Sequence, residues 1–336
     1  MNIELSLLVD KYIDKEDIEP ILYNLGFKKN EIYDDYIWFN ADYVSTKGCW
    51  FTICYDFEVL ISDGPEINKV FKTVLITKTD AGRSYEDFEI QIEALRRIQG
   101  KFGGEVFDLV HLEYGFIEND LPKLSRTEIA CGLAYSHFNN NLRKAGILIE
   151  EVDIEGYKKR RKMGIYITEK GMLRNNTLLP FFISVLETFL KSFFVGYLET
   201  NIEAVNKIFN KKEKLAYSTV KDLLSGKKTI IDIELEEYSF QNFKSANRGY
   251  KQYLNFDLYD VLSKKIKYNE NEETIASVLQ EMIEIRHEII HEARLEYDLD
   301  KIKMDKYYYF LERFGEIFID DFMKKHKLRL NINEEL

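Results

Sequence analysis

The chain has 336 residues, 45% hydrophobic and 31% charged, with only 4 prolines and 17 glycines against 22 tyrosines and 23 phenylalanines. This composition excludes a disordered or low-complexity chain and supplies apolar material for two or three packed domains. The net charge of −11 repels nucleic acid as a whole, so any contact with it must come from a local basic patch.

The first residues, MNIELSLLVDKYIDKED, mix acids into their apolar positions and predict no secretory signal. Cys49, Cys54 and Cys131 are odd in number and lack ligand spacing, so they read as reduced thiols of a cytoplasmic protein. Residues 1–115 read as a mixed α/β module of unknown role. A helix around IEPILYNL precedes the extended runs YIWFN, CWFTICYDFEVLI and VFKTVLITKT, which are rich in aromatic and β-branched residues. A helix over EDFEIQIEALRRIQGKF follows and ends at Gly103-Gly104. AGRSYED has a single glycine, Gly82, and reads as a strand-to-helix connection capped by Ser84, not as a phosphate loop.

Residues 116–174 contain LSRTEIACGLAYSHFNNNLRKAGILIEEVDIEGYKKRRKMGIYITEKG. A short helix around TEIACGLA, a turn at Tyr135-Ser136, a helix HFNNNLRKA stopping at Gly146, and two extended runs, ILIEEVDI and MGIYITEKG, are expected here. Lys158, Lys159, Arg160, Arg161 and Lys162 lie in the loop between those runs and form the densest positive charge in the chain. Neutralising phosphates there releases counterions, which makes the five residues candidates for nucleic-acid binding; a solvated hairpin tip is the alternative. The order of these pieces resembles a winged helix-turn-helix, which implies contact with nucleic acid or with a protein.

From about 177 to 326 apolar periodicity predicts helices near 178–200, 203–225, 232–253, 256–266, 272–296 and 299–325, with no extended runs and no repeat. The stretch LLPFFISVLETFLKSFFVGYLE is about long enough to span a bilayer, but Pro180, Glu187 and Lys191 within it favour a buried helix. No membrane partner is therefore expected.

The segment EIRHEIIHEA admits two chemistries. His287-Glu288-Ile289-Ile290-His291 spells HExxH, a helical zinc site with glutamate as base. A third ligand is not obvious in the sequence beyond Glu312, the downstream residues EARLEYD supply none, and charge at Arg286 and Glu292 flanks the would-be shell. Placed on a helix, Ile275, Val278, Leu279, Met282, Ile289 and Ala293 form an apolar stripe that contains Arg286. A guanidinium there costs several kcal/mol unless a carboxylate, a polar interface or a phosphate satisfies it.

Arg286 followed by four residues and His291 resembles the R-x4-6-H motif of HEPN domains, on a late helix of an all-α bundle. That resemblance covers about 177–326 and implies a metal-independent endoribonuclease with a composite site between two protomers. Imidazoles titrate near neutral pH, so His291 could serve as base or acid. Arg286 would hold the scissile phosphate, and His287 would supply a second proton or a hydrogen bond. The whole is then an α+β multidomain protein: an α/β module (1–115), a winged-helix-like domain (116–174) and a HEPN-like helical domain (175–336). It is expected to act on RNA as a homodimer without a cofactor, as a toxin or abortive-infection effector held by an antitoxin or trigger. The alternatives are a non-catalytic nucleic-acid-binding regulator and, behind it, the zinc hydrolase.

Overall fold

A computed structural model describes residues 2–61, 68–164, 169–211 and 214–330. They divide into two compact units, one running to Ile129 and the other Ala130–Leu330.

The first unit is built from β1 (Ile3–Val9), α1 (Lys15–Asn24), β2 (Lys28–Asn30), β3 (Asp35–Trp38), β4 (Cys49–Leu60), β5 (Asn68–Thr79), α2 (Tyr85–Phe102), β6 (Glu105–Asp108) and β7 (Glu113–Tyr114). The seven strands form one sheet in the order β2-β3-β4-β5-β1-β6-β7, with every pairing antiparallel. Strand β1 has no counterpart among the runs expected from sequence, yet it lies between β5 and β6. Its Leu5, Leu7 and Val9 pack with Ile18 and Leu22 of α1 and Phe88, Ile92 and Leu95 of α2. Leu8 points the other way, into a smaller cluster with Val59, Phe71, Val74 and Phe107. Burial on both faces removes the apolar/polar alternation that marks a strand in sequence.

Helix α2 begins as its sequence signals. Ser84 caps it, accepting from Asp87 N at 3.1 Å, and the Asp87 carboxylate in turn accepts from Ser84 N at 2.9 Å, a closed capping box. The same buried carboxylate accepts from the backbone of Thr46, Lys47 and Gly48 at 3.0–3.1 Å, so AGRSYED ties loop 45–48 to the helix start. At its other end Gly103 caps α2 with a φ of +74°, open to glycine at little cost.

The second unit is mainly helical. It holds most of α3 (Arg126–Gly146), then α4 (Ile154–Lys162), α5 (Lys170–Thr200), α6 (Ile202–Phe209), α7 (Tyr217–Leu224), α8 (Ile230–Leu235), α9 (Phe243–Leu254), α10 (Leu258–Leu262), β8 (Lys265–Tyr268), β9 (Asn271–Thr274), α11 (Ile275–His291) and α12 (Lys301–His326). Helix α5, the stretch long and apolar enough to cross a membrane, is the unit's centre: α6, α8, α9, α11 and α12 all pack against it. Its Phe189 and Phe193 meet Phe318 of α12 at 5.2 and 4.9 Å between ring centroids.

Several expectations change here. The turn expected at Tyr135-Ser136 does not form. One helix runs through, because Ile129, Tyr135, Phe138, Leu142 and Ala145 keep a buried helical stripe and neither Gly nor Pro interrupts it there. Residues 147–153 are irregular, not a strand, and the basic run is helical, capped by Asp153 accepting from Gly156 N at 2.8 Å. Residues 165–168 of the second expected run lie outside the described residues. The helix-turn-helix and the basic hairpin loop are therefore corrected.

The stretch 130–174 falls within the second unit, where Phe138 of α3 packs on Phe189 of α5 at 4.6 Å. The helical region is not all-α. A hairpin pairs Lys265–Tyr268 with Asn271–Thr274 through a two-residue turn, where Asn269 takes a left-handed φ of +53°. Two further expected helices are split, 203–225 into α6 and α7 and 232–253 into α8 and α9.

Candidate functional site

Helix α11 starts where Thr274 accepts from Ser277 N at 3.1 Å, and its first half is core: Ile275, Val278, Leu279 and Met282 are fully buried. The apolar stripe thus belongs to the chain's own bundle over about two turns. Toward the end of the helix it opens, with Ile290 47% exposed.

Arg286 is half-buried, and its Nε is enclosed without a hydrogen-bond partner. Helix α5 places Glu187 close enough for its carboxylate to feel the guanidinium's charge. Burial pushes the Glu187 carboxyl up, while a hydrogen bond from Gln241 Nε2 to its Oε2 (3.0 Å) and the charge of Arg286 pull it down. Its Oε1 is buried and unpartnered as well. The guanidinium on the apolar stripe therefore has a carboxylate facing it, yet no hydrogen bond joins the two and donor and acceptor capacity is left over on both.

His287, the next residue, and His291, one turn further on, are exposed and lie side by side, ring centroids 4.6 Å apart. Glu288 turns to Arg294 at 3.8 Å, so it is engaged away from both rings. Among the described residues no group of three or more His, Cys, Asp or Glu is placed to hold a metal ion, and Glu312 accepts from the hydroxyl of Tyr308 at 3.4 Å. The HExxH frame keeps two neighbouring imidazoles and lacks the third protein ligand that a tetrahedral zinc site requires.

The five basic residues form the last turns of α4, where cations also suit the helix dipole. They divide by role. Arg160 is a structural ion pair, bonded to Glu169 and 3.7 Å from Asp153. Lys158, Lys159, Arg161 and Lys162 are exposed and line a surface cleft of about 570 Å³. This helix is fixed to the segment that leaves the histidines: Tyr157 stacks on Tyr297 at 5.4 Å, Arg161 covers the same ring at 4.8 Å, and Lys158 reaches Asp298 at 3.4 Å. The basic run and the R-x4-H segment, far apart in sequence, are joined by the five residues between His291 and Tyr297.

Two buried asparagines of α5 hold that segment. Asn176 donates to Glu296 O (2.9 Å) and accepts from Glu296 N (2.7 Å); Asn175 donates to Leu299 O and Glu150 O, each at 3.0 Å. Glu187, Gln241, Asn175 and Asn176 escape a sequence reading because all four lie more than 30 residues from α11. One trace was legible: Glu187 and Asn175-Asn176 are polar residues in the most apolar helix, where burial requires a partner.

No protein-family model, curated protein or solved structure gives a significant match to this chain.

Proposed function

We propose that the protein is a metal-independent endoribonuclease of HEPN type, with Arg286 and His291 at its centre. The observation that carries the reading is the guanidinium on α11, half-buried beside Glu187 with an unpartnered Nε, within about a turn and a half of two exposed imidazoles. Such a group supports bidentate recognition of a phosphodiester, and the imidazoles supply the two proton transfers.

One imidazole, His291, takes the proton of the ribose 2′-OH. The 2′-oxygen attacks phosphorus, the bond from phosphorus to the 5′-oxygen breaks, and His287 returns a proton to that leaving oxygen. Arg286 neutralises the charge that grows on the phosphorane. The products are a 2′,3′-cyclic phosphate and a 5′-hydroxyl, with no cofactor taking part. Lys158, Lys159, Arg161 and Lys162 would hold flanking RNA, a sequence-independent contact that weakens with salt.

A second copy would pair at the exposed end of α11, around Ile290, and bring two R-x4-H segments together. Uncontrolled RNA cleavage stops growth, so the reading extends to a cytoplasmic toxin or defence effector kept silent by an antitoxin or trigger. Expression of the wild type should arrest growth and fragment total RNA, and Arg286→Ala or His291→Ala should restore both; equal toxicity of all three would refute it. A second reading, a non-catalytic nucleic-acid-binding regulator, is favoured by Arg286 facing an internal carboxylate. It predicts that these substitutions change neither growth nor RNA.

A further inference from the structure

We propose that the pocket between α9, α10 and the first half of α11 is a nucleobase subsite, seating the base of the nucleotide next to the phosphate held by Arg286. This rests on the ribonuclease reading and adds to it a second, base-recognising half of the site.

The pocket measures about 500 Å³, within the range of small-molecule sites. Phe243, Leu262 and Ile283 supply apolar wall, and the ring of Tyr259, 44% exposed, stands at the edge. Polar groups converge on that surface. Gln280 spends its amide N–H₂ on Glu284 at 2.9 Å, and its carbonyl oxygen is left to accept. Lys244, exposed, adds a cation at the mouth. A flat ring with N–H donors on its edge fits such a lining: it stacks on the tyrosine, fills the apolar slot and donates to the amide. An aliphatic ligand would leave the amide unused, and a bare phosphate would leave the apolar wall unused.

Position ties the pocket to the proposed chemistry. At 100° per residue, Ala276, Gln280, Ile283 and His287 fall within about 60° of one another on α11, so the pocket and the first imidazole share a face. His287 lies about 6 Å further along the axis from Ile283, at a rise of 1.5 Å per residue. Gln241 lines the pocket and also donates to Glu187, whose other oxygen and the facing Arg286 Nε are the enclosed unpartnered atoms. A base held in the pocket thus brings its own phosphate toward the guanidinium.

The test uses the full-length chain and four fluorescein-labelled hexanucleotides, homopolymers of A, C, G and U with 2′-O-methyl groups that block cleavage. Anisotropy should show unequal affinities. Gln280→Ala and Tyr259→Ala, both at exposed side chains, should weaken the best hexanucleotide about tenfold and level the four. Lys159→Ala with Lys162→Ala should weaken all four alike. Unchanged ranking in Gln280→Ala and Tyr259→Ala would overturn the subsite, even if unmodified RNA is still cut at Arg286. Levelled ranking in a protein that cuts no RNA would uphold the subsite and remove the nuclease reading. No binding by the wild type would overturn both.

Discussion

Glu187 of α5 and Arg286 of α11 are a charge pair with unpartnered atoms on both sides. Ionising Glu187 costs more in the folded chain than in the unfolded one, since burial raises its pKa. Its favourable contribution is therefore present at acid pH, below the ordinary carboxyl value of 4.5, and is lost as pH rises through the raised value. Glu187→Gln keeps the shape and removes that cost, while it takes from Arg286 the charge that faces it. RNA cleavage should fall by about 10-fold or more with little change in thermal midpoint. A large drop in midpoint with full activity would make Glu187 purely structural. The buried amide of Asn176 is a different case. Asn176→Ala takes their partner from both backbone groups of the half-buried Glu296, so the chain should lose about 2 kcal/mol by denaturant titration.

At the scale of elements, close packing sets the consequences. Gly315 on α12 faces the ring of Phe138 on α3, and an added Cβ would come within 2.4 Å of it. Gly315→Ala should cost about 1–3 kcal/mol, readable as a lower denaturation midpoint, and Phe138→Leu in the same chain should recover part of it. Elements with strong local signals were legible: the Ser84 cap and glycine stop of α2, the aromatic runs of β4 and β5, the long periodic helices α5 and α12. Elements whose signal depends on the surroundings were not. Strand β1 is buried on both faces and so lacks alternation; α3 carries a serine where a turn was expected, but its buried stripe holds the helix together. The hairpin at Lys265–Thr274 is short and half charged, and its Asn269-Glu270 turn is the only local clue. For the site, Arg286 and the two histidines could be read from spacing. Their partners could not, because contacts across 100 residues leave no periodic trace.

At the scale of the whole molecule, the two units should answer pH in opposite senses. In the first, His111 donates from Nδ1 to the carboxylate of the buried Asp108 at 2.6 Å, and this hydrogen bond raises its pKa above the ordinary 6.5. That contribution is present below pH 6.5 and is lost as pH rises through the raised value. In the second, burial lowers the pKa of His326, packed on Phe322 at 4.3 Å and beside the hydroxyl of Tyr197. Its contribution is present above pH 6.5 and is lost as pH falls through the lowered value. Hydrogen exchange from pH 5 to 8 should show β6 protected best at the acid end and the end of α12 at the alkaline end. His111→Ala and His326→Phe should each flatten one trend; parallel trends in the two segments would refute the assignment.

The central claim, that α11 carries a metal-free RNA-cleaving centre, is tested most directly by the ends it leaves. Purified protein in EDTA, given a single-stranded RNA, should yield 2′,3′-cyclic phosphate and 5′-hydroxyl termini, with Arg286→Ala and His291→Ala slower by at least about 100-fold. Intact RNA, equal cleavage by the variants, or 3′-hydroxyl ends produced only with added metal would contradict it.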